Sequence, residues 1–396
     1  MVLALGMGAQ AAFSAIFQGF PAIGPALRGE FGLSLAGFGA ILGAMTLGAT
    51  LSLVPWGLLI DRMGERWPLS VGIAACGLSL WIGTLGGSGI LAVGLLGVGA
   101  FGAVSNVASG SAVAGWFGPA ERGMALGIRQ AAVPLGGAIA ALALPPFVAG
   151  RDPRAGLVAL AVVCWAMGIA CAVGVKDAGV RPKERARGPF RDRRLWRLAL
   201  ASALLVASQI SVIGFVAIFL HDERDFSDVA AGVSLASIQV AGIGVRIAVG
   251  RWSDRLALRL APLRRMALAM GVVWLVIPVL LDAPDPVVVA ALVVAGTVSF
   301  SWNGLSFTAA AELAPEGRSG TAIALQQTAL FAAAAAAAPL FGGLVTAAGW
   351  RVAFAVLAVG PLVAWRLLAT LVRSEPGRPP TPKGRPSRPS AERPTS

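Results

Sequence analysis

Apolar residues run through this chain in long stretches, not at alternating or strict heptad intervals. A helix that crosses a bilayer needs roughly 20 mostly apolar residues. Twelve such stretches can be read, at approximately 3–26, 36–60, 68–86, 90–116, 123–148, 155–175, 197–220, 229–250, 265–281, 286–312, 318–345 and 350–370. Short polar segments separate them. The pattern predicts an all-α integral membrane protein of twelve transmembrane helices, numbered spans 1 to 12.

Composition supports a lipid-facing surface. Of the residues, 57% are hydrophobic and only 13% are charged; a soluble chain carries about twice that charged fraction. The 51 glycines suit helices that pack closely in lipid, whereas they would weaken a soluble helical protein. The net charge of +13 invites a nucleic-acid partner, but the placement of the charge excludes one. With the N-terminus in the cytoplasm, 25 of the 32 Lys and Arg fall in cytoplasmic loops and the tail. Five (Arg28, Arg151, Arg154, Arg224 and Arg351) fall outside, and two (Arg129 and Arg246) lie within spans. This asymmetry predicts a multi-pass protein with both termini cytoplasmic and the lipid bilayer as its partner.

Little in the chain suits catalysis. Cys76, Cys164 and Cys171 sit in apolar runs without metal-ligand spacing and read as small buried hydrophobes. The single histidine, His221, falls on an outer loop. No nucleophile–base pair, metal cluster or cofactor is expected, so the chain does not read as an enzyme. No Gly-x-x-x-x-Gly-Lys-Ser/Thr loop suggests ATP hydrolysis. No cleavable signal peptide is expected, since the first apolar run is the first of many. Trp56, Trp67, Trp116, Trp196, Trp252 and Trp350 lie near span ends and read as interfacial anchors.

The longest connection, 176–196, is basic and central. It divides the chain into halves 1–175 and 197–373, followed by a Pro-rich polar tail, 374–396, expected to be disordered. The halves repeat each other. Gly57, Asp61 and Arg62 recur as Gly250, Asp254 and Arg255 at an offset of 193, and Ser34 and Gly39 recur as Ser227 and Gly232. Each serine is placed to cap a helix. Pro119, Arg122 and Gln130 recur as Pro315, Arg318 and Gln326 at an offset of 196. Two pseudo-symmetric six-helix bundles follow.

The segment Gly57 to Arg66, with Asp61, Arg62 and Gly64 at their places, resembles the signature loop of the major facilitator superfamily. Glu65 departs from the family's usual Arg or Lys. Asn106 in span 4 and Pro134, Gly136 and Gly137 in span 5 fit the family's surroundings, although Val133 leaves its Gly-Pro-x-x-Gly-Gly motif incomplete. Span 4 lacks the arginine that many proton-coupled drug exporters carry. The resemblance covers residues 1–373. It implies the major facilitator fold and alternating-access transport of a small-molecule substrate in the cell membrane, with a proton or counter-substrate as possible coupling partner.

The resemblance also implies a gate. Asp61 would meet the start of span 11 near Arg318, and Asp254 the start of span 5 near Arg122. Gly57, Arg62, Gly64, Gly250 and Arg255 complete this set; the plainer reading is that the Asp-Arg pairs only anchor loops. In the family, helices 1, 4, 7 and 10 line the cavity. Gln10, Ser14 and Gln18 share one face of span 1 at intervals of four. Asn106 with Ser105 and Ser109, Gln209 with Ser208, and Asn303 with Ser299 and Ser306 lie on the other three. With Arg129, Gln130, Gln239, Arg246 and Gln327 these glutamines and asparagines, and Ser14, form the candidate substrate-binding set. The competing reading is hydrogen bonding between helices. No carboxylate lies deep in a span. The two intramembrane arginines either meet an anionic group, making the substrate an organic anion, or are structural. An exporter of drug-like or neutral metabolites, and a sensor on the same fold, are the alternatives.

Overall fold

The computed structural model describes residues 2–109, 119–175, 192–314 and 319–372. Arg318, most of the predicted linker and the tail lie outside the described residues, as do the side chains of Asp61 and Arg122.

Span 1 is a helix in four pieces: Val2–Ser14, a π turn Ala15–Gly19, a 3-10 turn Phe20–Ile23, and Gly24–Phe31. Pro21 has no N–H to continue an α ladder, and the π turn sits just before it. Spans 2 and 3 are Leu35–Met63 and Arg66–Gly83. Span 4 is Ser88–Gly102, turns at Ala103, and stays helical to residue 109. Spans 5 to 9 are Pro119–Val148, Arg154–Gly174, Arg193–Arg224, Asp228–Leu256 and Leu260–Leu280. Span 10 is Asp285–Val298 followed by Asn303–Leu313. The helical run Ser319–Val356 bends at Gly349 (φ 78°, ψ 169°), a backbone conformation that favours glycine. Span 11 therefore occupies 319–348, and span 12 runs from 350 through Val359–Val372.

Among the described residues, nine helices are long and apolar enough to cross a membrane. The last of these, Leu325–Val372, is spans 11 and 12 joined across Gly349. The interrupted span 1 and the 18-residue span 3 complete the twelve.

The packing repeats as the sequence does. In the first half span 2 packs on 4, span 3 on 4 and 6, and span 1 on 5 and 6. In the second, span 8 packs on 10, span 9 on 10 and 12, and span 7 on 11 and 12. Across the interface span 2 packs on 11 and span 8 on 5, which is again one contact and its symmetry mate. Ser34 accepts from Gly37 N at 3.0 Å and Ser227 from Ala230 N at 3.3 Å, so both act as N-caps.

Three expectations shift. Gly57 to Arg62 and Gly250 to Arg255 do not lie in loops; each helix runs on through them, to Met63 and Leu256. Gly64 (φ 81°) ends the first, and Ala257 (φ 52°), at the same offset of 193, ends the second. Span 7 begins at Arg193, capped by Asp192, four residues ahead of the predicted start. Trp350 is no interfacial anchor: the bend at Gly349 tucks it into the core, 8% exposed, among Phe219, Phe341 and Phe354. Trp67 and Trp196 are exposed as anchors should be.

Ala257 is a left-handed residue with a Cβ, a conformation that costs about 1–2 kcal/mol outside glycine. Ala257→Gly should stabilise the protein by up to about 1 kcal/mol after the unfolded-state entropy is counted. A thermal unfolding curve in detergent should move up by about 1–2 °C; a fall would show that the Ala257 methyl group makes a contact worth more than the strain.

Candidate functional site

The two ends of the bundle differ. At the end where span 1 finishes, the Arg28 end, the halves meet backbone to backbone. A Cβ added to Gly43 of span 2 would lie 2.6 Å from Ala335 O of span 11, and one on Gly39 would lie 2.8 Å from Pro339 Cα. The symmetry mate behaves alike: a Cβ on Gly232 of span 8 would lie 2.5 Å from Ala141 O of span 5. Rings fill the centre. Phe20 stacks on Phe38, Phe38 meets Phe215 across the interface at 6.0 Å, and Phe215 meets Phe341 at 5.1 Å. Arg28 of span 1 pairs with Asp222 of span 7, the one ion pair between halves found among the described residues.

Toward the other end, the Asp61 end, the halves part. Among the described residues, a Cβ on Gly57 would meet only Val107, of its own half, at 4.0 Å, and one on Gly250 would meet nothing within 4 Å. The deepest ties across the interface are Gln239 Nε2 donating to Gln18 O at 3.5 Å and Phe17 facing Phe331 at 6.4 Å. Among the described residues, the contacts between the halves therefore gather at the Arg28 end and thin toward the Asp61 end.

The polar residues sort themselves along this path. Gln10 donates to Ser14 at 3.4 Å within span 1, and both are buried. Gln18 and Gln239 are buried at the seal, each with an Oε1 lacking a hydrogen-bond partner. Asn303 donates to Gln209 Oε1 at 3.0 Å, linking spans 10 and 7. Asn106, Gln130, Asn303 and Gln327 are half-buried. Gln326, not Gln327, makes the tie in span 11: it donates to Ser202 at 2.9 Å and to Ser306. Two helix breaks supply further acceptors. Spans 4 and 10 turn at Ala103 and Phe300, positions related by an offset of 197.

The two intramembrane arginines use the regions around these breaks differently. Arg129 is 8% exposed. Its Nε donates to Ser109 Oγ at 2.7 Å and a terminal nitrogen donates to Asn106 O at 2.7 Å, tying span 5 to span 4. At an offset of 197, Arg129 corresponds to Gln326 and Ser109 to Ser306. The same tie is thus made in the second half by a neutral side chain. Among the described residues Arg246 donates only Nε, to Phe300 O at 3.3 Å, and its guanidinium lies over the Phe300 ring, 5.0 Å from the centroid.

The motif at the Asp61 end is also more fully built than the sequence suggested. Asp254 pairs with Arg259 at 2.5 Å, and Arg259 pairs with Glu312 at the end of span 10 at 3.2 Å. Arg259 stands 193 residues after Arg66 and so is the motif's last basic residue. That offset was the available signal; Leu258 in place of Glu65 hid it. Arg66 instead donates to Ala172 O at 2.7 Å, tying span 3 to span 6. Asp254 is thus held within its own half in this arrangement.

A duplicated helical bundle with lipid-compatible faces and polar side chains between its halves has the build of a multi-pass membrane transporter. The chain belongs to the Major Facilitator Superfamily, whose profile matches residues 3–338. An uncharacterised MFS-type transporter of Mycobacterium tuberculosis, Rv2994, is 32% identical over 379 residues, which cover 92% of this chain and 83% of the relative. Among solved structures, a bacterial homologue of the human lysosomal transporter Spinster, inward-facing and occupied, superposes with a TM-score of 0.79 at 17% identity, covering 94% of this chain and 96% of that one. The nucleoside transporter NupG superposes with a TM-score of 0.75 at 12% identity, covering 93% and 98%.

Proposed function

We propose that this chain is a secondary-active transporter that moves a small organic solute across the cell membrane by alternating access. The carrying observation is an interface whose contacts the duplication supplies twice and which, among the described residues, gather at one end. Exchanging which symmetry-related set of contacts is closed interconverts two access states. The basic asymmetry, 25 residues against five, supports a cytoplasmic Asp61 end with both termini inside; on that reading the arrangement corresponds to an inward-open state. The halves are 1–175 and 197–373, joined by a cytoplasmic linker at 176–196. Closing the cytoplasmic end would bring Asp61 to the start of span 11 and Asp254 to the start of span 5, where free backbone N–H groups favour a carboxylate. Asp254 would then exchange its bond to Arg259 for that contact. A proton or a counter-substrate would drive the cycle.

Paired spin labels test this reading in proteoliposomes. One pair at Met63 and Leu256 reports the Asp61 end, and one at Gly29 and Glu223 reports the Arg28 end, in a background without native cysteines. Two distance populations are expected for each pair, with the ends changing in opposite senses. A single fixed distance at both ends under all solutes and pH values would overturn it.

A further inference from the structure

We propose that the parted cavity binds an amphipathic organic carboxylate, with its carboxylate on Arg246 and its apolar body directed toward a recess beside Phe17 and Ile210. The proposal rests on the transport reading and names its substrate class.

Arg246 faces protein, not lipid. Gln239, Gly242, Val249 and Ser253 are buried and lie on its side of span 8, whereas Val240 and Ile247 on the other side are exposed. Its Nε is engaged by Phe300 O and its plane is steadied by the Phe300 ring. Among the described residues neither terminal nitrogen has a protein partner, and no carboxylate pairs with it. A guanidinium held in this way offers its two-pronged edge to a planar anion. An uncompensated charge at this depth is costly, and an anionic ligand lowers that cost. Duplication does not account for it either, since the residue 193 earlier is Leu53. Arg129 does not compete for the role, because two of its nitrogens are bonded and its counterpart is the neutral Gln326.

The rest of the ligand follows from what adjoins Arg246. Phe300 O also accepts from Asn303 at 3.4 Å, Asn303 donates to Gln209, and the next residue, Ile210, lines a recess with Phe17, Leu42, Met45 and Ile213. This recess is shallow, with a volume of about 10 Å³, and its lining is almost wholly apolar, so it marks where the interior turns apolar. Polar contacts thus give way to apolar ones along a line that rises from Arg246 toward the seal. The levels of Arg246 and Gln239 differ by seven residues, roughly 10 Å along the helix. That length suits one carboxylate carrying a single ring or a short alkyl chain. Lone positive charge favours a monoanion over a dianion.

The test is thermal stabilisation of the purified full chain by hexanoate, 3-phenylpropionate, acetate, hexanamide and hexylamine. Ligand that binds the folded state raises apparent stability by mass action. Hexanoate or 3-phenylpropionate should stabilise the wild type, acetate at least about tenfold more weakly, and the amide and amine not at all. Arg246→Gln should abolish the response; Arg246→Lys, which keeps the charge for folding but not the fork, should weaken it about tenfold or more. Arg129→Gln should bind like wild type. Ile210→Ser should weaken hexanoate and leave acetate unchanged. No response to any carboxylate, an equal response to hexanamide, or undiminished binding by Arg246→Lys and Arg246→Gln would each overturn the proposal. The spin-label distances would still report two access states in that event, so the transport reading stands or falls separately.

Discussion

Gly39→Leu is expected to empty the arrangement seen here while leaving each half folded. A Cβ at Gly39 lies 2.8 Å from both Ala338 C and Pro339 Cα. Those are backbone atoms of span 11, so they cannot swing aside as a side chain could. Span 2 must leave span 11, and the seal at the Arg28 end goes with it. Overpacking of this kind costs about 1–3 kcal/mol, and every 1.4 kcal/mol is about tenfold in a population. The sealed population should therefore fall about tenfold or more, and net transport should fall with it. Ile218, fully buried beside Gly24 and Phe38 of the opposite half, supplies the reporter. A cysteine there should resist an impermeant thiol reagent in the parent and react in Gly39→Leu. Unchanged reactivity together with normal transport would show that the two spans do not separate in the cycle.

Gly99→Leu should do something different: it should prevent stable folding. Its Cβ would lie 2.7 Å from Met45 C and 2.9 Å from Ala49 N, and a Cβ on Gly48 would in turn lie 2.9 Å from Ala100 N. Spans 2 and 4 are interlocked there, inside one half. Rocking of rigid halves never separates them, so no second state relieves the overlap. The cost of about 3 kcal/mol or more then falls on folding, a large share of the roughly 5–15 kcal/mol that typical proteins have. Monodisperse protein on size exclusion should drop sharply, and what remains should melt several degrees lower. Should Gly99→Leu fold normally and merely change access, the rigid-half picture fails. The two glycines look alike in the sequence; only the partner, across the interface or within a half, separates a switch from a fold defect.

That contrast marks where the sequence was legible. Long apolar runs reveal spans because lipid demands them, and the twelve were visible on that ground. Helix ends were less so, since an apolar run stops where lipid stops and a helix stops where the backbone does. Hence Gly57 to Arg62 reads as a loop, although the helix continues until Gly64 permits a positive φ. The repeat gave the right elements with a slipped register. Pro119 and Pro315 are 196 apart, while the bonded pairs Arg129 with Ser109 and Gln326 with Ser306 are related by 197. One extra residue between Pro315 and Gln326 makes Gln326 the counterpart of Arg129 and leaves Gln327 as that of Gln130. Arg259 was within reach of the 193-residue offset from Arg66, but its pairing with Glu312 arises only when the ends of spans 8, 9 and 10 are brought together. Which end carries the contacts could not be read, because in the proposed alternating-access cycle both states use the same residues and differ only in which contacts are made.

The seal at the Arg28 end is made of rings and glycine contacts, with a single surface ion pair. Exposed pairs of that kind contribute about 0–1 kcal/mol, so apolar burial holds it shut. Parting Phe38 from Phe215 exposes aromatic surface to water, and such exposure raises heat capacity. In the proposed alternating-access cycle, the balance between the two access states is therefore a thermal quantity, curved in temperature. Burial of this kind weakens on cooling, so the ring contacts hold the Arg28 end less firmly in the cold, and the resting distribution of this carrier depends on the temperature of the cell that makes it.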